Sequence, residues 1–367
     1  MRFLQCNTFP GPYLDRFYAD RPGLAESSFD EQITALIADG FGASHIRAPY
    51  LAKLGYECLF VISNCVPAQT RWALENGFAP PQTREEMTLL ALNQFIRFNP
   101  DILYLTDTLS WDSAYLRALP RRPPIIMGWN AAPIPDFIDW SEYDLILSAD
   151  EGCLKVILDR GAKASRFFYP HLPPFVAETV AEQPKVWDVV FSGQVSVLHQ
   201  DRTELLRELV RAPMGSRGEF SLGLFLAHYA PHTLPAGFCM HNQGAVWGMP
   251  MHRAIKSARI MLNVHIDMAA KKSLNMRTFE TVGTGSFLLT EASDVLPDFF
   301  EPGREVETYR SVDEMLDKIY YYLEHDVERE EIARRGFERL QRDHGAQQGA
   351  KALDEMIRQM LGESVNR

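Results

Sequence analysis

The residues best equipped for chemistry lie in one stretch, Ser273 to Thr290, whose order is polar loop, short helix, glycine turn and buried strand. Ser273 or Asn275 offers a side-chain oxygen to the otherwise orphaned amides of the first helical turn. That helix end combines unpaired N–H groups with the positive end of the helix dipole, which suits it to an anion such as a diphosphate. Met276 and Arg277 open the helix, and Glu280 falls one turn further on the same face. A carboxylate only accepts hydrogen bonds, and the vicinal diol of a ribose presents two donors to it. Gly283 and Gly285 let the backbone pass tightly before Phe287-Leu288-Leu289 enters a sheet. This reads as half of a nucleotide-sugar site. The i, i+3 spacing of Arg277 and Glu280 reads equally well as a surface ion pair, worth about 0.2–0.5 kcal/mol.

Further candidates are scattered along the chain. Gly193 follows a strand-like run from Trp187 and reads as a strand-end turn that brings backbone close to a ligand. Arg202 comes nine residues later, and Asn263 and His265 end another strand, where they could touch a base or phosphate. In the first half, His45 could take a proton from a hydroxyl group, because an ordinary imidazole titrates near neutral pH. It reads equally as a solvent-facing histidine at a helix start. Asp107, at a strand end, is the alternative base or sugar contact. Asp112, Trp129 and Asn130 either line the same mouth or serve the fold. His228, His232, His241 and His252 lack the spacing of metal ligands, and no metal is assigned.

Composition narrows the classes. A chain of 367 residues exceeds one ordinary core and divides into two domains. A net charge of −11 argues against a general nucleic-acid binder, which needs a broad positive field, so local arginines must handle any phosphate. Five cysteines, Cys6, Cys58, Cys65, Cys153 and Cys239, show no paired spacing and read as reduced thiols. No run of about 18 apolar residues occurs, and the N-terminus lacks a signal peptide's apolar core, so a cytoplasmic location is expected.

The elements that must position these residues alternate between strand and helix. Phe3 to Asn7 reads as a strand and Phe9 to about Ser27 as a long loop. A helix is expected from Phe29, another over His45 to Leu54, then the strand Cys58 to Ile62. The helix Arg84 to Asn99 precedes strands at Ile102 to Leu105, Pro124 to Met127 and Leu145 to Leu147. Prolines at 170, 173, 174 and 184 mark a linker, after which the alternation restarts at Trp187. Short apolar strands between amphipathic helices predict parallel sheets covered on both faces. The expectation is an α/β protein with two Rossmann-like domains facing each other across a cleft, with ligand at the carboxyl ends of the strands.

The ordered set Asn275 to Glu280, Gly283 to Thr290, Glu301 to Val306, Tyr309, Lys318 to Leu323, Arg329, Gly336 and His344 resembles the C-terminal half of a GT-B glycosyltransferase, within the CgeB-like members of the group 1 type. The likeness covers roughly residues 188–345. It implies a domain at 1–170 for the acceptor, a linker at 171–185, a nucleotide-sugar domain at 186–344, and a closing helix at 345–367 that packs back on the first domain. It implies that Glu280 binds the donor ribose. Gly193, Arg202, His265, Ser273, Asn275, Met276 and Arg277 would complete the donor side, with Arg277 stabilising the leaving diphosphate without a metal. Gly42, Ser44, Trp129 and Asn130 would form the acceptor side, with His45 or Asp107 as base. The family's earlier glutamate, eight positions before Glu280, is replaced here by Lys272. The implied activity is sugar transfer from a nucleotide-diphosphate sugar to the hydroxyl of a glycan, protein or small molecule. A nucleotide-sugar epimerase and a lapsed sugar-nucleotide-binding or glycan-binding module are the alternatives.

Overall fold

The computed structural model describes residues 1–196, 199–214, 218–227, 234–235, 237–265 and 274–365. The chain divides into two units, Met1–Tyr169 with Gln347–Arg367, and Pro170–Ala346.

Unit 1 is built on β1 (Arg2–Asn7), β2 (Glu57–Ile62), β3 (Ile102–Leu105), β4 (Ile125–Trp129), β5 (Leu145–Ser148) and β6 (Ser165–Phe167). All pair in parallel, in the order β2-β1-β3-β4-β5-β6. Seven helices connect them: α1 (Gly11–Ala19), α2 (Phe29–Ala38), α3 (Ala48–Ala52), α4 (Val66–Glu75), α5 (Arg84–Phe98), α6 (Ser113–Arg117) and α7 (Glu151–Asp159). Ser28 and Glu31 form a reciprocal capping box at α2, as Thr83 and Glu86 do at α5. Leu4, Leu103, Leu105, Ile126 and Ile146 of the strands pack with Phe95 and Trp140 in one core.

Unit 2 repeats the plan. It contains α8 (Pro174–Val180), β7 (Trp187–Gln194), α9 (Gln200–Arg211), β8 (Leu222–Ala227), α10 (Gly248–Lys256), β9 (Ala258–Asn263), α11 (Met276–Gly283), β10 (Leu288–Glu291), β11 (Glu307–Tyr309), α12 (Val312–Glu324) and α13 (Asp326–Arg339). Its five parallel strands run β11-β10-β9-β7-β8. Val189, Leu224, Ile260, Leu262 and Leu289 join Met315 and Ile319 in its core. The last helix, α14 (Ala346–Val365), belongs largely to unit 1, where the Tyr56 hydroxyl donates to Asp354 at 2.6 Å.

Four elements differ from the expectation. The loop expected at 9–27 contains α1, and the expected linker contains α8, which packs on α10 and α11. Strand β7 continues through Gly193, which pairs with Leu226, so Gly193 is not a turn residue. The helix expected at His45 to Leu54 is reduced to a 3-10 turn at Ala43–His45 and the short α3. Among the described residues no helix is long and apolar enough to cross a membrane.

Candidate functional site

In open parallel sheets, ligands gather at the carboxyl ends of strands where the strand order reverses. In unit 2 that point lies between β7 and β9. The Arg202 guanidinium of α9 sits there, buried, with Nη1 donating to the Gln194 carbonyl and Nη2 to the Val264 carbonyl, each at 2.9 Å. Arg202 was expected to grip a diphosphate; instead it spends these two donors bracing the ends of neighbouring strands. Its guanidinium also faces the Phe191 ring at 5.8 Å. That ring explains Gly193: a Cβ there would lie 2.9 Å from the Phe191 Cζ. The glycine fits a ring rather than a turn.

The segment leaving β9 is held by Glu291 at the end of β10. The His265 backbone N–H donates to Glu291 Oε2 at 2.6 Å, and His265 Nδ1 lies 3.4 Å from the same oxygen. Burial pulls the Glu291 carboxyl upward, but the side-chain and backbone bonds from His265 hold it below the usual carboxylate range. His265 Nε2 is buried with no partner among the described residues.

Helix α11 follows. Asn275 is its cap, with Oδ1 accepting from the Thr278 N–H at 3.2 Å. Asn275 Nδ2 donates to Asn263 Oδ1 at 2.9 Å, and Asn263 Nδ2 donates to Thr290 Oγ1 at 3.0 Å. One buried amide therefore ties β9, β10 and α11 together. The Met276 and Arg277 amides precede the first intrahelical bond and sit at the helix's positive end; the Met276 side chain is exposed. Ser273 lies outside the described residues, as do Lys271 and Lys272.

Glu280 is only 4% exposed. Arg277 Nη1 donates to its Oε2 at 2.8 Å, so the pair is a buried one and not the surface pair that the spacing equally allowed. Arg277 Nε is buried and has no acceptor among the described residues. The pair thus leaves one carboxylate oxygen and further guanidinium donors for other work.

In unit 1 the strand order reverses between β1 and β3. Gln5, wholly buried in β1, organises that edge: its Oε1 accepts from the Arg47 and Ala48 amides at 2.8 and 3.0 Å. Its Nε2 donates to the His45 carbonyl at 2.9 Å and to Asn7 Oδ1 at 3.0 Å. Gly42 enters the 3-10 turn with φ +62°, a left-handed conformation that glycine takes without strain, and Ser44 and His45 follow. The His45 ring lies 4.2 Å from the Trp129 ring, centroid to centroid. Ser44 Oγ, both His45 nitrogens and Trp129 Nε1 are buried without partners among the described residues. Asn130 is buried and donates through Nδ2 to the Ala132 carbonyl at 2.9 Å. Asp107 caps a turn, with Oδ1 accepting from the Ser110 N–H at 3.0 Å, and Asp112 caps α6.

His45 departs from both expectations. It does not face solvent, and burial together with the neighbouring Arg47 charge pushes its pKa from 6.5 down to about 3. It is therefore neutral at neutral pH and a weak base. The unfolded histidine gains a proton below pH 6.5 while the folded one does not, so its contribution is complete above that pH and lost as pH falls towards about 3. Between pH 6.5 and 5 the loss is about 2 kcal/mol. Urea unfolding of His45→Gln should lose less stability than the wild type over that interval; equal losses would show that His45 is not held neutral.

Gln5, Asn263 and Glu291 organise these sites, yet only Asn263 was singled out in the sequence. The signal for Gln5 was a polar residue inside an otherwise apolar strand. Among the described residues no three His, Cys, Asp or Glu side chains gather as a metal site would require.

Two parallel Rossmann-like sheets, one carrying a capped helix with a buried acid, give the chain the GT-B fold. Residues 203–355 match the family model described as glycosyl transferase-like. No curated protein sequence matches the chain. Anabaena Alr3699/HepE, solved with UDP-glucose, shares the fold with a TM-score of 0.61 at 10% identity, over 98% of this chain and 100% of that one. AviGT4, a glycosyltransferase of avilamycin A biosynthesis, gives 0.60 at 14% identity over 99% of both chains. Sucrose-phosphate synthase from Thermosynechococcus elongatus gives 0.56 at 11%, over 99% of this chain and 100% of that one. The match of residues 203–355 to the glycosyl transferase-like model favours transfer over the epimerase and lapsed-module alternatives.

Proposed function

We propose that the protein transfers a sugar from a nucleoside-diphosphate sugar, UDP-linked in the first instance, to a hydroxyl acceptor without using a metal. The observation that carries this reading is the buried Glu280 on the Asn275-capped α11, within the segment that matches the family model. UDP is chosen because Alr3699/HepE was solved with UDP and with UDP-glucose.

In this reading the free Glu280 oxygen accepts from the ribose diol, and the Met276 and Arg277 amides meet the diphosphate. The acceptor oxygen bonds to the anomeric carbon as the bond to the β-phosphate oxygen breaks. The nucleoside diphosphate leaves with that electron pair, and the acceptor proton passes to a base or to the leaving phosphate. Arg277 and the helix amides stabilise the charge that builds on the departing oxygen. Arg202 acts indirectly, by fixing the strand ends, while His265 and Gly193 shape the edge beside them. On the acceptor side, Asp107 is taken as the base, since its second oxygen is not used by the Ser110 turn and His45 is a weak base. His45, Ser44, Trp129 and Asn130 are then contacts for acceptor groups, and Gly42 sets their turn.

The test is nucleotide release from a panel of nucleotide sugars, with and without hydroxyl acceptors. Acceptor-stimulated release of the nucleoside diphosphate is expected. A changed sugar with no acceptor dependence would mean an epimerase, and binding without turnover would mean a lapsed module.

A further inference from the structure

Arg47 is a second buried cation that the transferase reading leaves without a role. It is 0% exposed. Every other buried arginine among the described residues has an acid nearby. Arg329 has Asp326 and Glu330 within ion-pair distance, and Arg202's charge acts on Glu291. Arg47 makes no ion pair among the described residues. Its recorded neighbours are neutral: the Tyr104 side chain, the Phe168 ring at 5.2 Å, and the Tyr169 carbonyl 3.5 Å from Nη2. Nε and Nη1 have no acceptor among the described residues. A buried charge costs several kcal/mol unless an opposite charge and hydrogen bonds offset it. The fold nevertheless holds Arg47 in place firmly, through the Gln5 side chain on its backbone amide.

The side chains around it share one property. Ser44 Oγ, both His45 nitrogens and Trp129 Nε1 are likewise buried without partners among the described residues, and the Tyr104 hydroxyl has Arg47 itself beside it. They lie at one edge. Gln5 pairs with Tyr104 across β1 and β3 and bonds the backbone on both sides of Ile46, and His45 stands against Trp129. One guanidinium and several uncharged donors thus sit together with no acid among them.

We propose that unit 1 holds a binding site for an anionic group, a carboxylate or a phosphate monoester, with Arg47 as its charge partner and Ser44, His45, Tyr104 and Trp129 as neutral hydrogen-bonding walls. The inference rests on the transferase reading in one respect only, that the anion belongs to the acceptor; it makes the acceptor an acidic sugar or a phosphorylated alcohol. A guanidinium matches either oxyanion bidentately, whereas a neutral hydroxyl acceptor would leave its charge unanswered.

The experiment needs neither donor nor turnover, so it can fail while the transferase reading stands, and the reverse. The full chain carrying 15N-labelled tryptophan is titrated with inorganic phosphate, with glucuronate and with glucose. The indole N–H signal of Trp129 is assigned from the Trp129→Phe variant. A saturable shift of that signal with phosphate or glucuronate, and none with glucose, is expected, and the tighter of the two anions identifies the source. Arg47→Met should weaken anion affinity by about tenfold or more, while Arg47→Lys, which keeps the charge, should lose less. A Trp129 signal unmoved by either anion in the unaltered chain overturns the proposal without any variant. An equal shift in Arg47→Met overturns it too, and leaves Arg47 as a brace on the Tyr169 carbonyl.

Discussion

Replacing Glu280 with alanine should lower UDP affinity roughly thirtyfold and destabilise the protein at the same time. The affinity loss corresponds to a hydrogen bond to a charged group, about 2 kcal/mol. The stability loss arises because Arg277 would keep its charge in a buried place with no acid, a change that costs about 3–5 kcal/mol. The two effects must be separated. Glu280→Gln keeps the volume and one acceptor oxygen for Arg277, so it should fold with a smaller penalty while still losing the carboxylate that faces a diol. Calorimetric titration of UDP into that variant is the decisive comparison. Wild-type affinity in a folded Glu280→Gln protein would leave Glu280 as an internal partner of Arg277 and nothing more.

Gly336→Ala should destabilise unit 2 by about 2 kcal/mol, although alanine is the better helix former. Gly336 lies in α13, where a Cβ would press well inside contact distance of the Glu305 backbone carbonyl and 3.3 Å from Val282 Cγ1 of α11. Alanine gains about 1 kcal/mol from propensity in a helix interior. Overpacking against backbone, which cannot rotate away, costs about 3 kcal/mol. The second effect wins, and it acts on the helix that seats α11. Denaturant unfolding checks it; a variant as stable as the wild type would mean that the Glu301–Val306 turn shifts freely and does not fix α11.

What the sequence showed and what it hid have a common cause. The cap of α11 was legible because Asn275 stands immediately before the helix, and the strand after Gly285 because Phe287 to Leu289 is an uninterrupted apolar run. The alternation of elements predicted two parallel sheets, which is what the chain forms. The unexpected helices share a residue. Pro12 in α1 and Pro174 in α8 stand in the first helical turn, where a missing N–H costs nothing and the fixed φ favours the helix. Counting those prolines as breakers turned helices into loop and linker. The unassigned stretch after β2 holds α4, which starts the same way at Pro67.

Burial was the other hidden quantity. A histidine after a glycine turn looks like a titrating base until the Gln5 side chain is seen to hold its carbonyl inside the sheet edge. Arg202 looks like a phosphate ligand until its donors are found on two strand ends. Neither fact is local. Each depends on at least one contact 40 or more residues away, from β1 to His45 and from α9 to Val264, so no spacing rule reports it. The Arg277/Glu280 pair shows the converse, since its spacing was plain and only its depth was not.

The most direct measurement of the central claim is a crystal structure with UDP bound. The ribose hydroxyls should lie within hydrogen-bond distance of Glu280, and the diphosphate should meet the amides of Met276 and Arg277. A nucleotide bound elsewhere, or a ribose with no contact to Glu280, would contradict the account.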